Sequence, residues 1–166
     1  MAFKVVSQSF KDGDYLAMDH MLSANYGFGC AGGNRSPQLS WSDPPEGTKS
    51  FAITCYDPDA PTGSGFWHWL MVNIPANVRS LDLGAGDPSG GKAPAGALQT
   101  RTDFGVPGYG GPCPPEGDHP HRYLFTVFAV SQEKLSVEPD TSAAVVGFYL
   151  NFNTVAKSVI MGLARR

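Results

Sequence analysis

Three stretches of the chain are too apolar to be loops and too rich in β-branched and aromatic residues to favour helix. Residues 51–56 (FAITCY) and 66–74 (FWHWLMVNI) are two of them, and the Pro and Gly between them break any helix or continuous ladder, so they read as strands joined by a stiff loop. Residues 121–130 (HRYLFTVFAV) are the third, with His121, Tyr123, Phe125 and Val127 on one face and Arg122, Leu124, Thr126 and Phe128 on the other. Both faces are mainly apolar, which predicts a central strand covered on two sides, with all three strands interior to one sheet.

Weaker patterns flank this centre. Residues 3–10 alternate enough for an edge strand ending in the turn Asp12-Gly13-Asp14, and residues 38–41 form a short strand, whereas 15–25 show no clear period. Residues 76–110 are dominated by Gly, Pro and Ala, with brief extended pieces at 80–83 and 98–100. A loop that long is uncommon without a function, and it is expected to wrap the site, with Thr102-Asp103-Phe104 folding back toward the sheet. Near the C-terminus, Val145, Phe148, Tyr149, Phe152, Val155 and Ala156 recur at helical spacing after the capping residues Asp140, Thr141 and Ser142. This predicts an amphipathic helix over 142–157 with its aromatic stripe in the core, then a short strand at 159–161.

Composition narrows the class. A chain of 166 residues suits one domain spanning 1–166, and 20 Gly plus 14 Pro with 16% charged residues point to a loop-rich β protein. The net charge of -3 and the lack of any Lys/Arg cluster argue against nucleic acid as a partner. The longest apolar run, 143–150, is too short to span a bilayer, so no transmembrane segment is expected. The N-terminus shows no signal-peptide pattern. Cys30, Cys55 and Cys113 are odd in number and form no CxxC, which indicates neither a disulfide framework nor a zinc finger and favours a reducing cytoplasm. His20 reads as a surface or core filler, and the glycines of 27–33 do not form a nucleotide-binding motif.

The chemistry gathers at strand ends. In Asp57-Pro58-Asp59-Ala60-Pro61 the prolines hold the preceding residues extended, and alternation places Asp57 on the side of Ile53 and Cys55, while His68 shares a side with Leu70 and Val72. A carboxylate and an imidazole ending apolar faces need partners, and the simplest partner for each is the other. If strand 121–130 lies alongside, His121 and Tyr123 join them in a small polar pocket, with Pro112, Pro114, Pro115 and Pro120 building a rigid wall. Arg122 is expected on the opposite face, leaving Asp59 as a spare carboxylate for a cationic group of a ligand.

Three chemistries fit these residues. One is non-covalent binding of a phosphorylated or carboxylated group, with Asp57 fixing an imidazole whose other nitrogen donates to the ligand. The second is a metal site built from two His and one or two Asp, against which stand their origin on separate strands and the lack of HExxH-like spacing. The third is hydrolysis by Cys113 or Ser64 with His121 or His68 as base, although Ser64 lacks the nucleophile-elbow pattern and nothing marks a lowered Cys113 pKa.

The motifs DPDAP at 57–61, the WHW strand ending in VNIP at 67–75, and GPCPPEGDHPHRY at 111–123 resemble the phosphatidylethanolamine-binding protein family, also called the Raf kinase inhibitor protein family, in its bacterial and archaeal branch. NRSPQLSW at 34–41, EGTKSFAI at 46–53 and LQTRTDFG at 98–105 extend the match. The resemblance implies a mainly β fold: a large central antiparallel sheet, a second smaller sheet, Gly/Pro-rich loops and a C-terminal helix. It also implies an anion pocket formed by Asp57, His68, His121 and Tyr123. The function expected is binding or modulatory and not enzymatic, without metal or cofactor, for small phosphorylated ligands such as phospholipid headgroups. A kinase or protease is the expected protein partner, and a homodimer the expected assembly. The full expected site is Asp57, Asp59, His68, Pro112, Cys113, Pro114, His121 and Tyr123.

Overall fold

The computed structural model describes every residue from Met1 to Arg166. Its large sheet grows outward from β3 (Ser50–Asp57), which pairs antiparallel with β4 (Phe66–Pro75) on one side and β7 (His121–Val130) on the other. β6 (Leu98–Gln99) closes one edge and β8 (Thr154–Ala164) the other, so all three strands read as central are interior to the five-stranded sheet. A second sheet of three strands is built from β1 (Lys4–Val6), β2 (Leu39–Ser42) and β5 (Ser80–Leu81), with β1 at its edge.

Alternation then defines two apolar layers. The main one includes Val5, Leu39, Trp41 and Leu81 from the small sheet and Phe51, Ile53, Trp69, Met71, Phe125 and Val127 from the large sheet. On the opposite face of the large sheet, Ala52, Leu70 and Val72 pack with Val146 and Leu150 of α1 (Ala143–Asn153). That second face is covered only in part: Arg122 is exposed, and Leu124, Thr126 and Phe128 are half-buried.

The helix departs from its expected form. Ser142 caps it by accepting a bond from the Val145 amide at 3.3 Å, but it ends at Asn153, where the chain passes directly into β8. Its last carbonyls are met by side chains, Asn153 Nδ2 donating to Tyr149 O at 2.7 Å and Thr154 Oγ1 to Leu150 O at 2.6 Å. The strand replaces the expected helical turn because β7 needs a partner along its whole length, and residues 154–164 supply it from Val130↔Thr154 to His121↔Ala164. Phe148 and Phe152, expected in the core, are 60% and 69% exposed and stack edge-on with ring centroids 4.9 Å apart. The core takes the smaller Ala143, Val146 and Leu150 of this helix.

The cysteine reading is also corrected. Cys30 and Cys113 form a disulfide across 83 residues of sequence, with Cα atoms 5.9 Å apart, while Cys55 is free and buried. Two half-cystines so distant have no spacing signature, and their pairing removes the cysteine argument for a reducing compartment.

The backbone departs from a regular ladder at His68. Cys55 pairs with Trp69, but the next residue, Tyr56, pairs with Trp67, so His68 is an extra residue on β4. The bulge changes the side on which everything beyond it falls: Trp69 belongs to the layer between the sheets, and Trp67 packs on the helix side. His68 consequently leaves the face of Leu70 and Val72, where strict alternation would put it, and joins Asp57 and Phe66 around a cavity.

Candidate functional site

The cavity, of about 170 Å³, opens where β3, β4 and β7 end and the long loops cross. Among its fourteen lining residues are Asp57, His68, Cys113, Pro114, His121 and Tyr123; Asp59 and Pro112 are not among them. The remaining wall is largely apolar and includes Phe28, Phe66, Phe104, Leu22 and Pro115. The aromatic rings hold one another edge-on, Phe104 lying 4.8 Å from Phe66, 5.7 Å from Phe28 and 5.5 Å from the His68 ring between centroids.

Asp57 closes β3 and is only 2% exposed. Its Oδ1 accepts from the Asp59 amide at 2.8 Å, and its Oδ2 pairs at 2.8 Å with Nδ1 of His121, not with His68. His121 is held at both ends, since its Nε2 lies 2.7 Å from Oδ2 of Asp118. Burial pulls the His121 pKa down, but the Asp118 and Asp57 carboxylates together outweigh it and hold the imidazole above its ordinary value. An imidazolium clamped between two carboxylates has no N–H left for a ligand. The expectation that its second nitrogen donates into the cavity is therefore corrected.

That role is open to His68. Its Nδ1 donates to the Gly110 carbonyl at 2.7 Å, and the Gly110 amide donates back to the His68 carbonyl at 3.0 Å. Since a carbonyl only accepts, Nδ1 carries the proton and Nε2 is the nitrogen left to the cavity. Burial, partly countered by the Gly110 carbonyl and Asp57, lowers the His68 pKa, so the ring favours its neutral form. Tyr123, also buried, stands edge-on to His68 with centroids 5.2 Å apart. Burial first, and then the Asp57 charge, push its phenol pKa far up, so it stays a neutral O–H.

Asp59 is not spare. Arg122 grips it with Nε at 3.0 Å and Nη2 at 2.9 Å, and the Arg122 amide adds a bond at 2.8 Å. This fork lowers the Asp59 pKa to about 2 and fixes the DPDAP turn against β7. Arg122 does leave the cavity face, as expected, but it takes the carboxylate reserved for a ligand with it.

Loops supply the rest of the wall. The Asp103 carboxylate accepts from the Trp67 amide at 2.8 Å, and the Asp103 amide returns a bond to the Trp67 carbonyl at 3.0 Å, which folds 102–104 back on the sheet and carries Phe104 into the cavity as expected. Asn34 bridges Gly111 N and Tyr109 O at 2.8 and 3.0 Å, and a Cβ on Gly111 would come within 2.2 Å of the His20 carbonyl, so this strip of wall must be glycine. His20 itself is buried, its Nδ1 bonded to Arg35 O at 2.8 Å, as a core filler should be. Sequence reading missed Asp118 and the rings of Phe28 and Phe66; only the position of Asp118 three residues before His121 could have hinted at it.

Bridging Cys113 to Cys30 leaves no free thiol at this position, which rules out Cys113 as a nucleophile. Cys55 is buried, and burial together with Asp57 raises its pKa well above the ordinary thiol value. Ser64 is exposed and outside the cavity lining.

The chain is 55% identical over 159 residues to the UPF0098 protein YbcL of Escherichia coli, covering 96% of this chain and 85% of that one. It is 50% identical to YbhB of the same organism, covering 96% and 98%. The crystal structure of E. coli YbcL, described as a new member of the mammalian PEBP family, superposes with a TM-score of 0.96 at 52% identity, covering 100% of this chain and 99% of that chain. A carboxypeptidase Y inhibitor complexed with its cognate proteinase shares the fold, with a TM-score of 0.54 at 21% identity over 98% of this chain and 82% of that chain. With the phosphatidylethanolamine-binding protein profile matching residues 6–165, the chain belongs to that family.

Proposed function

We propose that the protein is a non-catalytic binding or modulatory protein whose cavity takes a small phosphorylated or carboxylated head carried on an apolar body. The observation that carries this is the contrast inside the cavity: an apolar, aromatic wall around the one unengaged imidazole nitrogen, His68 Nε2, with the Tyr123 phenol beside it. A neutral Nε2 offers a lone pair, which repels an anion, so the head binds once His68 takes up a proton. The Asp57, His121 and Asp118 cluster has two negative charges and one positive, which opposes a bare dianion but favours a head bringing its own ammonium toward Asp57. Loss of the Cys113 thiol supports binding over hydrolysis. Modulation of a kinase or protease belongs to this proposal through family membership. The homodimer has support in the exposed Val145, Phe148 and Phe152 of α1, an apolar face that a second copy would cover.

Calorimetric titration with phosphate, phosphoethanolamine and phenyl phosphate tests the reading. Phosphate is expected to bind with a Kd of about 0.1 to 1 mM. Its affinity should rise as pH falls below about 6.5, the ordinary histidine value, because burial holds His68 below it. Phenyl phosphate should bind at least about tenfold tighter by burying its ring, and without release of phenol. Affinity that ignores pH, or that survives His68→Ala, would place the anion elsewhere; steady phenol release would make the protein an enzyme.

A further inference from the structure

We propose that Asp118, His119 and His121 form a site for one divalent transition-metal cation of the zinc class, at the outer end of β7 and on the far side of His121 from Asp57. One carboxylate oxygen and two imidazole nitrogens from these residues all lie within 4.8 Å of one another. They come from a run of four residues, and Pro120 between the two histidines restricts the backbone that presents them.

The centre of the site is already aimed. His121 is 1% exposed, and its Nδ1 rests 2.8 Å from the buried Asp57 carboxylate, the arrangement by which a carboxylate orients a metal-binding imidazole and raises its basicity. Asp57 is in turn held by the Asp59 amide, and Asp59 by Arg122, so Nε2 of His121 has a fixed direction. Facing it at 2.7 Å is Oδ2 of Asp118, and a cation would stand where the shared proton stands now. His119 completes the set. Its ring lies 5.3 Å from that of His121 between centroids, and its Nδ1 is engaged by the Pro120 carbonyl at 2.9 Å, which leaves Nε2 to coordinate.

Zinc bonds of about 2.0–2.2 Å require the three ligand atoms to draw closer than 4.8 Å, and the two residues that must move are the ones free to do so. His119 is exposed and Asp118 half-exposed, so rotation of their side chains closes the site without disturbing β7. Two imidazoles and one carboxylate select zinc, cobalt, nickel or copper over magnesium and calcium, and solvent supplies the open fourth position. No other part of the chain competes. His20 and His68 are buried with Nδ1 bonded to backbone carbonyls, Cys30 and Cys113 are bridged, and Cys55 is buried alone.

The test is titration of the chelator-treated full chain with Co²⁺, read by its visible absorption, and with Zn²⁺ in competition with a chromogenic chelator. One equivalent should bind at micromolar free metal, with a raised thermal midpoint. Asp118→Asn and His119→Ala should each weaken binding by about 10- to 100-fold and abolish the thermal shift. Both positions lie at the surface, and because His119 belongs neither to the cavity lining nor to the Asp57–His121–Asp118 charge cluster, phosphate affinity measured on His119→Ala should stay near that of the parent. Failure to saturate at submillimolar metal would overturn the proposal, as would one-equivalent binding that persists in the double variant.

Discussion

Reduction of the Cys30–Cys113 disulfide should lower the unfolding free energy by about 2 to 4.5 kcal/mol, one of the two largest effects any single change in this chain is expected to produce. A cross-link across 83 residues removes a large loop-closure entropy from the unfolded chain, and the chain-entropy relation puts the ceiling near 4.5 kcal/mol. The bond also ties the glycine-rich loop carrying Phe28 to the proline wall carrying Pro114, both of which line the cavity. Urea unfolding of the oxidised protein, the reduced protein and the Cys30→Ser/Cys113→Ser variant gives the number directly. A difference below about 1 kcal/mol would mean that the backbone bond from Leu22 N to Pro112 O and the Asn34 bridge hold the wall without the disulfide.

Asp57→Ala should cost about 3 to 5 kcal/mol, because it removes one partner of a buried pair and leaves the other charged. His121 Nδ1 would face a void, and the Asp59 amide would lose its acceptor. The same substitution should change how stability varies with pH. His121 has a folded pKa above its unfolded value, so its contribution is complete below about pH 6.5 and is lost as pH rises through the folded pKa. His68 has a folded pKa below its unfolded value, so the fold is favoured above about pH 6.5 and loses stability as pH falls through the folded pKa. The wild type should therefore weaken on both sides of a maximum near neutrality, and Asp57→Ala should flatten the alkaline limb while keeping the acid one. Urea midpoints from pH 5 to 9 decide it. A wild-type midpoint that does not fall on the alkaline side would mean that His121 is not held charged.

The central strands were legible because alternation and proline boundaries act locally. Phe51, Tyr123 and Val127 announce their faces without reference to anything distant. Asp57, His121 and Tyr123 could be placed together for the same reason, as ends of neighbouring strands. What lay beyond reach depended on contacts between remote segments. Cys30 and Cys113 meet only after the chain has folded, and Phe28 reaches the cavity on a loop whose course no periodicity records. Phe148 and Phe152 showed the limit of a pattern taken alone: their spacing identified the helix, but the smaller Val146 and Leu150 occupy the buried side. The turn from helix to strand at Thr154 was hidden because Val155 and Ala156 fit either period, and only the demand of β7 for a partner settles it.

The extra residue at His68 separates two things that usually change together. Deleting it would let Tyr56–Trp67 and Cys55–Trp69 follow one another as ordinary neighbours, and neither apolar layer contains the lost side chain. The sheet order, both cores and the Asp57–His121 pair would survive, while the imidazole and its grip on Gly110 would vanish. In lineage terms, a sibling that keeps the sheet but lacks the His68 imidazole stands a single codon away.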